Sequence, residues 1–140
     1  MIVCGIEIKG REAILAVVEV DDIEAAPDHR VNDTRKITLE QDDESAHVKS
    51  FFSLAEGFVR DNHITHIAIK KRGKKGDYAG GPITFKIEGL FQLLDNCNVA
   101  LLSAPTIAAS KKKHAFEIPA SLKKYQHEAF LTACAFISKR

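Results

Sequence analysis

The chain has 140 residues, a formal charge of +1 and 45% hydrophobic residues. That is enough for a single domain over residues 1–140 with its own core, and it excludes a disordered chain and a strongly basic nucleic-acid binder. No basic leader with a small-residue cleavage site opens the sequence and no apolar run reaches membrane length, so a cytoplasmic protein with no membrane role is expected.

Ile2-Val3-Cys4-Gly5-Ile6-Glu7-Ile8 is an almost unbroken apolar run that contains one carboxylate. Such a run reads as a strand buried on both faces, in the middle of a sheet. Glu7 then lies at its carboxyl end, where open α/β sheets place their ligands. The turn Lys9-Gly10-Arg11 leads into a second run, Ala13 to Val20, and so short a connection makes an antiparallel hairpin. The polar stretch with Pro27, Asn32 and Asp33 reads as loop or wide turn, and Lys36 to Glu40 as a short third strand at the sheet's edge.

Gln41-Asp42-Asp43-Glu44 predicts a helix start with a carboxylate cap and acid in the first turn. Val48, Phe51, Phe52, Ala55, Phe58 and Val59 then recur at helical spacing, and Asp61-Asn62-His63 closes the helix. His66-Ile67-Ala68-Ile69-Lys70 is a fourth strand, parallel to one already in the sheet because a helix separates them. Pro82 starts a second helix with Ile83, Ile87, Leu90, Phe91 and Leu94 as its stripe. Asn98 to Ser103 is a fifth strand, Pro105 to Ser110 a short helix, and a last helix begins near Pro119. Its buried stripe is Phe130, Ala133, Cys134 and Ile137.

The segment from Lys71 to Gly81 is the least core-like: a basic cluster, four glycines and one aromatic predict a mobile exposed loop. Lys71, Arg72, Lys74, Lys75 and Tyr78 are its candidate nucleic-acid contacts, since cations track phosphates while an aromatic ring stacks on a base. Lys111-Lys112-Lys113 is a second, weaker basic cluster that one exposed helical turn explains. His63, His66 and His127 match no zinc spacing. Cys4, Cys97 and Cys134 are isolated within apolar segments and read as free thiols in a reducing compartment.

The order β-β-β-α-β-α-β-α, with an acid ending the first strand, resembles the ribonuclease H-like superfamily and within it the RuvC-type Holliday-junction resolvases. Val3-Cys4-Gly5-Ile6-Glu7 is similar to their first strand, a hydrophobic pair followed by Gly-Ile-Asp. His66-Ile67-Ala68-Ile69-Lys70 is similar to their fourth, which ends in Glu. Tyr125-Gln126-His127-Glu128-Ala129-Phe130 is similar to their last-helix motif, in which an Asp precedes Ala-Leu and another acid lies three residues earlier. The chain also resembles a small bacterial family of this fold, whose membership implies no function of its own. The resemblance implies an α/β, ribonuclease H-like fold. Its five-stranded mixed sheet has the order 3-2-1-4-5 and helices on both faces.

The same resemblance implies carboxylates that hold Mg²⁺ or Mn²⁺ at a scissile phosphate, structured DNA or RNA as substrate, and a homodimer. Glu7 and Glu128 take the positions of two metal-ligating acids. Lys70 stands where the fourth-strand Glu belongs, and Tyr125 where the extra acid belongs. An ammonium about 4 Å from a dication costs roughly 8 kcal/mol before relaxation at an effective dielectric near 20. Glu7, Lys70 and Glu128 therefore make a self-neutralising catalytic-site cluster that needs no metal. Three functional readings stay open. One is a nucleic-acid-binding domain with a degenerate metal site. Another is an active Mg²⁺- or Mn²⁺-dependent endonuclease in which Glu7 and Glu128 hold one ion. The third is a protein-interaction scaffold.

Overall fold

The computed structural model describes residues 1–21, 26–76 and 79–139. Strand β1 (Ile2–Lys9) pairs antiparallel with β2 (Glu12–Glu19) across the two-residue turn Gly10-Arg11. Gly10 takes φ +56°, a left-handed conformation that a residue with a Cβ adopts only at a cost. Strands β3 (Asp28–Arg30) and β4 (Lys36–Thr38) both pair with β2 along the same edge, β3 against Val17 to Glu19 and β4 against Glu12 to Ile14. The crossover helix α1 (Ser45–Asp61) leads to β5 (His66–Lys70), parallel to β1. Helix α2 (Pro82–Gln92) leads to β6 (Asn98–Leu102), parallel to β5. Then follow α3 (Ala104–His114), a 3₁₀ turn over Lys124–Gln126 and α4 (His127–Ser138).

The sheet order is β3-β2-β1-β5-β6 with β4 also on β2, which is the expected order plus a sixth strand. Asp28-His29-Arg30 carries no alternation of apolar and polar side chains. It joins the edge through backbone pairing, so its sequence reads as loop.

Two cores flank the sheet. On one face Ile6, Ile8, Leu15, Leu39, Ile67 and Ile69 meet Phe51 and Phe58 of α1 and Ile87 and Phe91 of α2. On the other face Val3, Ile14, Ala16, Val18 and Ala68 meet Ile107 of α3 and the body of α4. Every residue of β1 from Val3 to Ile8 is buried, as a strand covered on both faces requires.

Three local expectations are corrected. Glu44 occupies the N-cap of α1, but its side chain makes no capping hydrogen bond and the first turn holds no acid. Asp42 instead accepts from Arg11 at 3.1 Å, tying the start of the helix to the β1–β2 turn. The short helix expected at Pro105 to Ser110 runs from Ala104 to His114 and takes in the lysine cluster. The last helix starts at His127, not near Pro119. The side-chain oxygen of Gln126 accepts from the backbone N–H of Lys123 at 2.9 Å and its amide donates to the Leu15 carbonyl at 2.8 Å. Those two bonds pin the turn to the sheet and fix where α4 begins.

Candidate functional site

Residues 3, 5, 7 and 9 of β1 share the face covered by α4, because side chains alternate along a strand. The parallel register pairs Ile6 with Ile69, so Lys70, the next residue of β5, lies beside Glu7. Glu128 reaches the same point from the first turn of α4.

Gly5 makes that approach possible. A Cβ built there would sit 1.9 Å from the Ala129 carbonyl oxygen and 2.9 Å from the Ala133 backbone nitrogen. Helix α4 therefore rests directly on the β1 backbone, with alanines at the contact. Glycine inside a strand is a signal of close backbone approach, and here it sets the distance between the helix and the two strand ends.

The three expected site residues are brought together. The Lys70 ammonium donates to Glu128 Oε2 at 3.1 Å and lies 3.8 Å from Glu7 Oε2. Glu7 is 6% exposed. Lys9, one alternation further along β1, places its Nζ 3.9 Å from Glu7 Oε1. Burial pushes the Glu7 carboxyl above the usual carboxylate range. Lys9 and Lys70 oppose that rise, Glu128 adds to it and Arg72 opposes it. The desolvation cost outweighs the surrounding cations.

Arg72 donates to the Ile8 carbonyl at 3.2 Å, which carries its guanidinium across from the end of β5 to the end of β1. The loop base is fixed by backbone bonds from Lys71 to Leu102 and from Gly80 to Gly73, both 2.8 Å. Glu7, Lys9, Lys70, Lys71, Arg72 and Lys75 line an open groove of about 450 Å³, which Ala104 at the start of α3 also borders. Lys74 is exposed beside the groove without lining it. Tyr78 lies outside the described residues.

The other clusters are elsewhere. Lys111–Lys113 occupy the last turn of α3, about 10–14 Å along the helix from its groove-side end. His66 begins β5, at the end of that strand away from the groove, and its ring lies 5.5 Å from Phe136. His127 begins α4, so it and His66 belong to opposite ends of the sheet. Cys4 and Cys134 are buried free thiols whose pKa burial raises to about 12, and Cys97 is half-buried. Lys9, two residues after Glu7 and on the same face of β1, supplies a second ammonium to that carboxylate beside the one from Lys70.

The donor set does not suit Mg²⁺ or Mn²⁺. Hard dications take several oxygen ligands in close geometry, whereas here an ammonium stands between two carboxylates and bonds one of them. Among the described residues no group of three or more His, Cys, Asp or Glu side chains is arranged to hold a metal.

No curated protein matches the sequence. Among solved structures, the chain is similar to Thermus thermophilus RuvC, with TM-score 0.72 and 12% identity over 96% of this chain and 92% of that one. T. thermophilus RuvC in complex with Holliday junction substrate gives TM-score 0.67 and 11% identity over 96% and 91%. The Fowlpox virus resolvase in complex with substrate Holliday junction DNA gives 0.61 and 12% over 99% and 98%. These likenesses establish the ribonuclease H-like fold. Residues 1–136 match the family described as "Protein of unknown function (DUF3010)", and the chain belongs to that family.

Proposed function

We propose that the chain is a ribonuclease H-like nucleic-acid-binding domain, related to the RuvC-type resolvases, in which a resident ammonium has taken over the place of the catalytic metal. The observation that carries this reading is Lys70, held 3.1 Å from Glu128 and 3.8 Å from Glu7. Five cations and the buried Glu7 line the groove, so it attracts phosphate. A dication would meet Lys70, Lys9 and Arg72 before it met two free carboxylates. The similar structures that carry Holliday junctions favour structured DNA or RNA as the occupant. Glu7, Lys70 and Glu128 then form the centre of the site, and Lys71, Arg72, Lys74 and Lys75 its phosphate contacts.

The test combines binding with thermal unfolding. A fluorescent four-way DNA junction should bind in the presence of EDTA, and Lys70→Glu should weaken that binding at least tenfold. Excess Mn²⁺ should leave the melting temperature of the wild type unchanged. It should raise that of Lys70→Glu, which restores a third acid, by roughly 8 °C at a hundred times Kd. A wild type that is stabilised by Mn²⁺ and cleaves the junction, with both effects lost in Glu7→Gln, would replace this reading by the metal-dependent nuclease.

A further inference from the structure

Lys123-Lys124-Tyr125 interleaves cations with an aromatic ring, and the fold brings it onto the same face as the groove. Lys36 of β4 pairs with Ile14, and Ile14 pairs with Glu7. Lys36, Ile14, Glu7 and Lys70 therefore form one row across four adjacent strands. At a strand spacing of about 4.8 Å the row places Lys36 roughly 14 Å from Lys70, about four stacked nucleotides along a strand.

At the far end of this row the Lys36 ammonium lies 5.2 Å from the centroid of the Tyr125 ring, and Lys36 also pairs with Glu12 at 3.2 Å. Tyr125 remains 39% exposed. Its position is fixed by the next residue: Gln126 is 4% exposed and bonds both the Lys123 N–H and the Leu15 carbonyl. One helical turn later in the chain, Glu128 bonds Lys70 in the groove. A half-exposed aromatic ring, with Lys36 against its face and Lys123 and Lys124 just before it in the chain, thus lies on the sheet face that carries Glu7 and Lys70.

We infer that Tyr125, with Lys36 beside it, is a stacking platform for an unpaired base, and that the strand in the groove is single-stranded where it crosses this face. The inference rests on reading the groove as a phosphate site and adds the class of nucleic acid it takes. Phosphate contacts alone do not distinguish a duplex from a single strand. An aromatic face does, because the faces of duplex bases are already stacked and only an unpaired base can offer one. Every base has such a face, so the platform orders a strand without selecting a sequence.

The experiment uses the full chain with a 12-nucleotide poly-dT strand and a mixed-sequence duplex of equal length, binding being read by anisotropy. A 5-iodouracil version of the strand adds photocross-linking. Tyr125→Leu should weaken single-strand binding about 5- to 150-fold, Tyr125→Phe should retain it, and duplex binding should respond to neither. The cross-link should map to Tyr125. A merely structural role for the ring would move neither the cross-link nor the contrast between strands. If single-strand binding is lost in Lys70→Glu but unchanged in Tyr125→Leu, the groove reading stands and the platform is overturned. If the wild type binds neither form, both fail together. Equal loss of duplex and single-strand binding in Tyr125→Leu also overturns the platform.

Discussion

Glu7 is a carboxylate that the fold keeps out of water, and its titration follows from that. Its proton affinity in the folded chain exceeds that of the ordinary group near 4.5, because desolvation outweighs Lys9, Lys70 and Arg72. The folded state thus holds a proton that the unfolded state has released in the window just above 4.5. Stability falls as pH rises through that window and stays lower at neutral pH. Glu7→Gln removes the charge and keeps the shape. The variant should match the wild type below pH 4.5 and become the more stable of the two as pH rises to 7, measured as the difference between their urea midpoints. A wild type that is the more stable at pH 7 would mean that the pairing with Lys70 and Lys9 outweighs the burial. At this scale the sequence was informative about which elements meet: Lys70 lies within ion-pair reach of both Glu7 and Glu128. It was silent on the row from Lys70 to Lys36. That row depends on the register of β1, β2 and β4, which no residue spells out locally.

Among elements, α4 decides whether the site exists. The helix is apolar almost all round, and Ala129 to Ala135 are all buried, so it lies inside the molecule between the sheet and α3. Its seat is the bare backbone at Gly5. Gly5→Ala forces a methyl group to within 1.9 Å of the Ala129 carbonyl oxygen, and backbone on both sides leaves no flexible side chain to yield. Overpacking of this kind costs about 3 kcal/mol or more. Urea denaturation should show that loss, whereas an alanine at Gly89, where a Cβ meets nothing within 4 Å, should leave stability unchanged or raise it. A mild effect at Gly5 would mean that α4 shifts outward, and the distance between Lys70 and Glu128 would open with it. The strands of the central sheet and the stripes of α1 and α2 were readable from period alone, because each buries a regular pattern. Two boundaries were not. The start of α4 depends on Gln126 bonding Leu15, a partner 111 residues away. The strand Asp28–Arg30 owes its existence to a free backbone edge on β2, and its side chains carry no trace of it.

For the whole molecule, a charge of +1 spread over 140 residues supplies almost no long-range attraction for a polyanion. Any phosphate affinity must come from where the charges are gathered. One gathering is the groove, with Lys9, Lys70, Lys71, Arg72 and Lys75 around a single buried acid. Another is the exposed end of α3, with Lys111 to Lys113, about 10–14 Å along the helix from the groove. Salt dependence separates them, because each phosphate neutralised contributes about 0.7 to the slope of log K against log salt for a single strand and about 0.9 for a duplex. About four contacts in the groove give a slope of roughly −3 on a single strand, and a fourfold rise in salt then costs about 60-fold in affinity. Lys75→Ala should make the slope shallower by about 0.7, the signature of one lost phosphate contact, and Lys112→Ala should leave both slope and affinity unchanged. The reverse pattern would move the nucleic acid from the carboxyl ends of β1 and β5 to the far end of α3. Glu7, Lys70 and Glu128 would then be a structural ion cluster under a surface that binds nothing.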